Sequence, residues 1–594
     1  MKQAASALDM SVESDGTRSR SGITVKVMLF VAVVALAAAP HVTNIYYVSL
    51  GIPFMAYAVA LLGFNLLFGY GGQLSFGHAL FLAIGAYSSA LAVRLTGNAA
   101  FELMLLFAVA AALAISIPLA WIASRFSGIF FGMLTLSFGM LFYSFLNKFY
   151  DLTGGDSGMN VPQPSLLGID FSQVDKMGFL TGPFYYYCLA LLIVSAWIMW
   201  RIVRSPYGLH LQASRDNEVK ASYLGVKVRQ VRAVAFVISA IYGSVGGAML
   251  AISTGLADPE LSYWQQSGHL VFMAILGGYQ ELIGPIAGAL IFILLQDELQ
   301  AATQYWRFFL GVVLALLVIG MPGGLFGYCE ADSGQMEALM SSDHLLVAQN
   351  ISKSYGSFVA MQGVDLNLAN GEFVSVVGPN GAGKTTLVNV LTGLHSPTEG
   401  SVRFMGRDIA GLSPVDLSTR GLARAFQLVS VFPDLTVRQA LTVASCSRLG
   451  LRWKMFANAS RYREVREAVA AIAAAFRLTD SLESSANSLP HGKRKLLDVA
   501  SAFALRPKVI LLDEPTAGVS TADKHGVMET LLSAASQMGI GAILLIEHDM
   551  DLVRRYSSRI IAMQGGRKIA DLPTEKFFAD EAVLSVVIGK EAHA

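Results

Sequence analysis

The stretch Gly378-Pro379-Asn380-Gly381-Ala382-Gly383-Lys384-Thr385-Thr386 carries residue types suited to holding a chain of phosphates. An apolar run, Phe373-Val374-Ser375-Val376-Val377, precedes it, and Leu387-Val388-Asn389-Val390-Leu391 follows, so the expected order is strand, glycine turn, helix. In that order the glycines let backbone N–H groups converge on an anion at a helix N-terminus. Gly378, Asn380, Gly381, Gly383 and Thr386 would line the phosphates, Lys384 would reach the β- and γ-phosphates, and Thr385 would offer its hydroxyl to Mg²⁺. Further on, Val509-Ile510-Leu511-Leu512 reads as a buried strand that ends in Asp513-Glu514. Such a strand would deliver Asp513 to Mg²⁺ through water and set Glu514 to polarise an attacking water. The chemistry implied is attack of water on a bound nucleotide's phosphate.

The rest of the chain decides what that chemistry is attached to. Of the 594 residues, 54% are hydrophobic and 14% charged, against a usual charged share of about 25%, so part of the chain must lie in a membrane. The deficit is local: Val27 to Val93 holds no Asp, Glu, Lys or Arg, whereas Asp408 to Lys508 carries charges throughout. A membrane half is therefore followed by a soluble half. The net charge is +1, and no basic block interleaves with aromatics outside the C-terminal half, so there is no nucleic-acid signature. Cys188, Cys329 and Cys446 lie too far apart for a zinc site or a disulfide framework.

Residues 1–22 are polar and mixed in charge and read as a disordered tail. Lys26 and the run Val27 to Ala39 imitate a signal peptide, but further apolar segments follow at once, so this is read as a first membrane helix. Spans are expected near 24–42, 47–68, 74–94, 101–123, 128–147, 182–203, 232–254, 267–297 and 305–322, about nine, with 267–297 either broken or paired. Gly69-Tyr70-Gly71-Gly72 and Gly277-Gly278-Tyr279 would serve close helix packing or interrupt helices along a solute path. Between Arg201 and Arg232, Arg204, Arg215, Lys220, Lys227 and Arg229 outweigh Asp216 and Glu218, which marks that loop as cytoplasmic. Lys148 to about Gly182 would then face outward. Residues 23–327 form the expected membrane domain, 328–343 a polar linker, and 344–594 the soluble domain.

In the soluble half the motifs occur in a set order: Lys353-Ser354-Tyr355-Gly356, the glycine turn, Arg424-Ala425-Phe426-Gln427, Leu489-Pro490-His491-Gly492-Lys493, Asp513-Glu514-Pro515-Thr516 and Ile546-Glu547-His548-Asp549. Over about 345–590 this resembles the nucleotide-binding subunit of an ABC transporter, an α/β P-loop NTPase. The resemblance implies that Tyr355 stacks on adenine, that Gln427 touches the metal and the attacking water, and that His548 contacts the γ-phosphate. It also implies that Leu489 to Lys493 form the signature that completes a partner's ATP site. There the family's Leu-Ser-Gly-Gly-Gln is altered: Pro490 replaces serine, removing a hydroxyl and a backbone donor, and Lys493 replaces glutamine. Ser520 stands where an aspartate often follows Glu-Pro-Thr.

The membrane half, over about 45–327, resembles permeases of the high-affinity branched-chain amino acid importers. The likeness rests on Gly71-Gly72-Gln73-Leu74-Ser75-Phe76-Gly77-His78-Ala79 with Gly85-Ala86-Tyr87, on Leu152-Thr153-Gly154-Gly155-Asp156-Ser157-Gly158, and on Ser205-Pro206-Tyr207-Gly208-Leu209 leading to Ala213-Ser214-Arg215-Asp216-Asn217-Glu218. It implies a coupling segment including Tyr207, Gly208, Arg215, Asp216 and Glu218 that docks on the ATPase. The fold expected is thus a polytopic α-helical membrane domain followed by an ABC-type nucleotide-binding domain, a permease fused to its ATPase. The implied setting is a bacterial inner membrane with the ATPase in the cytoplasm. The implied partners are a second permease subunit, a second ATP-binding subunit, an external solute-binding protein and membrane lipid. Gln73, Ser75 and His78 are candidates for the solute path, although a histidine there could equally be satisfied by a neighbouring helix. Relatives that carry urea, amides or aromatic acids leave the solute open. A membrane-anchored regulatory ATPase is the alternative from another class, though a mere anchor would not need about nine spans. An exporter is disfavoured because only one sizeable basic loop interrupts the spans.

Overall fold

Charge-free apolar runs become helices because backbone surrounded by hydrocarbon must satisfy its own N–H and C=O groups. The computed structural model describes residues 31–279, 281–312, 344–356, 358–425, 430–519 and 521–588. The expected tail at 1–22, the linker at 328–343, the end of the span expected at 305–322, Gln427 and Ser520 lie outside them. The chain divides into two compact units. One contains the chain up to Gly69, Gln73–Met199 and the stretch from Phe236; the other contains Tyr70–Gly72, Trp200–Ala235 and the C-terminal half. The basic loop, placed in the membrane domain by its position in the sequence, therefore packs with the nucleotide-binding half.

In the N-terminal half of the chain a short apolar helix α1 (Val31–Val42) precedes seven helices long and apolar enough to cross a membrane among the described residues. These are Ile45–Tyr70, Ala79–Thr96, Phe101–Ala123, Gly128–Lys148, Lys176–Val203, Val228–Thr254 and Gly284–Ala302. Within the first of them, α2 (Ile45–Asn65) passes into a π-helical turn, Leu66–Tyr70, and the chain is then unwound before α3 (Ala79–Thr96). The windows around α2, α3 and Val228–Thr254 are 78%, 72% and 78% buried, against 28% for Phe101–Ala123 and Gly128–Lys148, so the first three make the inner bundle. The segment expected over 267–297 is two helices, Trp264–Gly277 and Gly284–Ala302. Gly278, at φ 96°, turns the chain between them, and a Cβ on Gly288 would meet the Met273 carbonyl oxygen at 1.9 Å. Only small residues allow backbones that near one another.

The second unit is built on two sheets. Strands β1 (His344–Tyr355), β2 (Phe358–Ala369), β3 (Phe373–Val377), β4 (Glu399–Phe404), β5 (Arg407–Asp408), β6 (Leu422–Ala425), β7 (Val509–Asp513), β8 (Ala542–Ile546), β9 (Arg559–Gln564) and β10 (Arg567–Pro573) alternate with helices. The six-stranded sheet runs β10-β9-β3-β8-β7-β6, parallel except for the β9–β10 hairpin; the other is antiparallel in the order β2-β1-β4-β5. Strands β3, β7 and β8 are buried along their whole length, as parallel strands covered on both faces are. Because β3, β8 and β7 are neighbours, their C-terminal ends bring the glycine turn, His548 and Asp513 to one edge.

Candidate functional site

Strand β3 is followed by Gly378, whose φ of 152° and whose approach to the Met563 carbonyl oxygen, 2.2 Å from a would-be Cβ, admit only glycine. Gly381 and Gly383 have φ of 79° and 93°, and Gly383 caps the helix Lys384–Leu391. A glycine turn leading into a helix N-terminus is an arrangement that attracts anions. Lys384 is buried, and its Nζ donates to the carbonyl oxygens of Gly378 (2.7 Å) and Pro379 (2.9 Å), spanning the turn. Burial lowers its pKa, while Glu514 and Asp513 act the other way. Asn380 and Thr385 are exposed at the turn and Thr386 is half-buried. Tyr355, 42% exposed at the end of β1, meets the His395 ring edge-on at 5.5 Å, and the Lys353 ammonium lies 5.3 Å from its ring centroid.

At the end of β7, Asp513 is 3% exposed and bonded by Arg424 of β6 at 3.0 Å. Arg424 also donates to Asn389 on the helix after the glycine turn, at 2.6 Å. Burial raises the Asp513 pKa, opposed by Arg424. A divalent cation would hold this carboxylate ionised, and the Thr385 hydroxyl and Asp513 are the oxygen donors suited to it. Glu514 sits at φ 47°, a backbone conformation costing about 1–3 kcal/mol for a non-glycine residue. The conformation is held by its N–H to the Ile546 carbonyl oxygen at 2.9 Å, and its carboxylate lies 2.8 Å from His548 Nε2. Beneath them, buried Glu547 accepts from Thr516 Oγ1 at 2.6 Å and from the His548 N–H at 3.2 Å. Arg424 and Glu547 were visible in the sequence only as neighbours of Gln427 and His548. Their partners come from elsewhere in the fold, Asp513 from the end of β7 and Thr516 from the turn after it.

The signature residues are placed as follows. Leu489 is buried, Pro490 occupies the N-cap of helix His491–Phe503 with no side-chain cap, and Gly492 has open space where a Cβ would go. His491 is exposed beside Gly518. Lys493 Nζ donates to Ser481 Oγ at 2.7 Å within its own domain. Gln427 lies outside the described residues.

The basic loop forms two helices, Pro206–Asp216 and Glu218–Tyr223, capped by Ser205 and Asn217. Tyr207 is fully buried, its hydroxyl donating to the Val231 carbonyl oxygen at 2.9 Å and its ring stacked on Trp453 at 6.3 Å. Gly208 packs where a Cβ would strike the Val203 carbonyl oxygen at 2.1 Å. His210 Nε2 contacts the Val443 carbonyl oxygen at 3.2 Å. Arg215 pairs with Asp434 at 2.7 Å, Asp216 accepts from the Asp434 N–H at 3.2 Å, and Glu218 pairs with Arg232 at 2.9 Å. Lys220 reaches deepest, to Asp498 of the signature helix at 2.8 Å and to the Ser430 carbonyl oxygen. In the other unit Gln73, Ser75 and His78 are 3%, 1% and 0% exposed, and His78 Nε2 meets Ser239 Oγ at 3.1 Å.

A glycine turn on a parallel sheet, with an acidic strand end and a histidine beside it and a polytopic helical half before it, defines an ATPase joined to a permease. Residues 46–319 match the family described as the permease component of the branched-chain amino acid transport system, and 361–517 match that of the ABC transporter. The high-affinity branched-chain amino acid transport ATP-binding protein BraF of Pseudomonas aeruginosa is 32% identical over 251 residues, 41% of this chain and 98% of that protein. The LivG protein of the same description from Escherichia coli is 32% identical over 254 residues, 42% of this chain and 99% of its own length. A nucleotide-free ATP-binding cassette of an ABC transporter is 28% identical, covering 42% of this chain and all of that one at a TM-score of 0.35, which adds nothing to the sequence relationship. The chain belongs to the ABC transporters of the high-affinity branched-chain amino acid type, with permease and ATP-binding components on one polypeptide. It is an ATP hydrolase coupled to transmembrane transport.

Proposed function

We propose that this chain imports branched-chain or other hydrophobic amino acids across the bacterial inner membrane. It would act with a second permease, a second ATP-binding subunit and an external solute-binding protein. The observation that carries the reading is the coupling segment: Lys220 joins the basic loop to Asp498 on the signature helix and to Ser430, three residues after Gln427. Movement of that helix when two ATPases close on ATP would reach the permease through a buried, charged contact rather than a lubricated surface.

In this reading Tyr355 stacks on adenine, and Gly378 to Thr386 hold the phosphates. Thr385 and Asp513 with Gln427 would hold Mg²⁺, Glu514 would activate water, and His548 would orient Glu514 and contact the γ-phosphate. The positive φ of Glu514 supports its role, because such strain persists where a side chain must be aimed. Leu489 to Gly492 would face a partner's ATP. Lys493 is engaged with Ser481, so the helix N-terminus rather than a lysine charge is the feature that supports this contact.

The test is copurification of the complex from native membranes, then ATP turnover in lipid with binding proteins loaded with leucine, urea or an aromatic acid. Stimulation by the leucine-loaded protein is expected. Stimulation by another alone would reassign the solute, and stimulation by none, with no second permease copurifying, would favour a regulatory ATPase.

A further inference from the structure

Two interruptions of the membrane helices meet. The π-helical turn after α2 and the unwound stretch to His78 form one; residues 278–279 and 281–283, between Trp264–Gly277 and Gly284–Ala302, belong to the other. Asn65 Nδ2 donates to the Glu281 carbonyl oxygen at 3.0 Å, the Phe68 and Tyr279 rings are 4.8 Å apart, and a Cβ on Gly69 would lie 1.9 Å from the Tyr279 carbonyl oxygen. At the end of α2 and in the unwound stretch that follows it, four buried polar atoms have no hydrogen-bond partner among the described residues: Asn65 Oδ1, Gln73 Oε1, Ser75 Oγ and His78 Nδ1. A buried polar atom left unpaired is costly, and four of them within residues 65–78 suit a polar occupant. Irregular backbone at membrane depth is tolerated where it lines a cavity, and paired helix breaks are where carriers hold what they move.

We propose that this junction is a solute-contact site on the permease path. Asn65 Oδ1 and Gln73 Oε1 accept from the ammonium of a passing amino acid, and the Ser75 hydroxyl and His78 imidazole meet its carboxylate. The proposal rests on the import reading above. None of the four side chains carries a fixed charge, which suits a zwitterion that must be released. Phe64 and Phe81, with ring centroids 5.2 and 5.3 Å from that of His78, offer an apolar wall to the solute's side chain.

The test uses the full chain assembled with its partners in proteoliposomes. In a background of Cys188→Ala, Cys329→Ala and Cys446→Ala, Ser75→Cys should react with an ammonium-bearing methanethiosulfonate faster than Ala60→Cys, a fully buried control on α2. Separately, Ser75→Ala should raise the KM for leucine uptake about five- to tenfold, the loss of one hydrogen bond to the solute. Its thermal stability should be unchanged or higher, because a hydroxyl without a protein partner stabilises nothing. Labelling no faster than the control, or an unchanged KM, overturns the proposal. If the unmutated transporter accumulates no leucine, the amino-acid reading fails by itself, and fast labelling would still place a water-lined path at the junction.

Discussion

Lys220 and Asp498 form an ion pair of 2.8 Å whose side chains are 3% and 2% exposed, across 278 residues of sequence. Asp498 also accepts from the Ser430 N–H at 3.3 Å, so one carboxylate ties the basic loop, the segment after Gln427 and the signature helix together. Desolvating two charges costs as much as their attraction returns, and a buried pair is weak as a source of stability alone. Its value here is a fixed register between loop and helix.

Removing one partner leaves a buried charge uncompensated. Lys220→Ala is expected to destabilise the coupling contact by about 3–5 kcal/mol. Lys220→Met with Asp498→Leu should recover most of that loss. Thermal unfolding reads the recovery, and ATP turnover with a loaded binding protein reads the coupling. Restored stability with lost stimulation is the expected pattern; restored stimulation would make the pair structural only.

Glu514→Gln removes the carboxylate proposed to activate water while preserving its shape. ATP turnover should fall by about 10²–10⁴, with ATP still bound and the complex held closed. His548→Ala should lower turnover by a smaller factor, because it removes the 2.8 Å partner of Glu514 rather than the carboxylate. Unchanged turnover in Glu514→Gln would remove that residue from the mechanism.

Burial of His210 lowers its pKa from 6.5 to about 4, with the Val443 carbonyl oxygen acting in the opposite direction. Above pH 6.5 the imidazole is neutral in both folded and unfolded forms and contributes no pH dependence. From pH 6.5 down to about 4 the unfolded form binds the extra proton, so stability falls with pH, by about 3 kcal/mol in total. Melting temperatures measured over this window should show the slope, and His210→Gln should flatten it. An unaltered slope in the variant would assign the effect to other groups.

Pro490→Ser supplies the cap that the signature helix lacks. It should add about 1 kcal/mol to the helix. In the assembled complex it should also raise turnover at the ATP site formed with a partner's glycine turn. A gain in stability without a gain in turnover would mean that this position does not limit hydrolysis. Lys384→Ala, by contrast, should abolish turnover at this chain's own site, read by ATP binding and hydrolysis.

Much of the machinery was legible because it is local. The glycine turn could be read between strand and helix since φ at Gly381 and Gly383, backbone donors and Lys384 are all set within nine residues. Asp513-Glu514 was legible because a fully apolar run must be a buried strand and its end must emerge. The charge-free stretches named the membrane half for the same reason, as burial in lipid requires continuous apolar sequence.

What tertiary structure alone decided is which distant residues meet. Arg424 braces Asp513 because β6 and β7 are neighbours in the sheet, and Glu547 lies under Thr516 because β8 lies beside β7. Lys493 turns to Ser481, the basic loop packs with the ATPase rather than the bundle, and the run over 267–297 is divided where Gly278 lets the chain turn. Periodicity and local propensity say which face of an element is apolar; they hold no information on which other face will cover it. Partner choice comes from packing the whole chain at once, and so the pairs that tie this transporter together, Lys220 with Asp498 above all, appear only in the folded molecule.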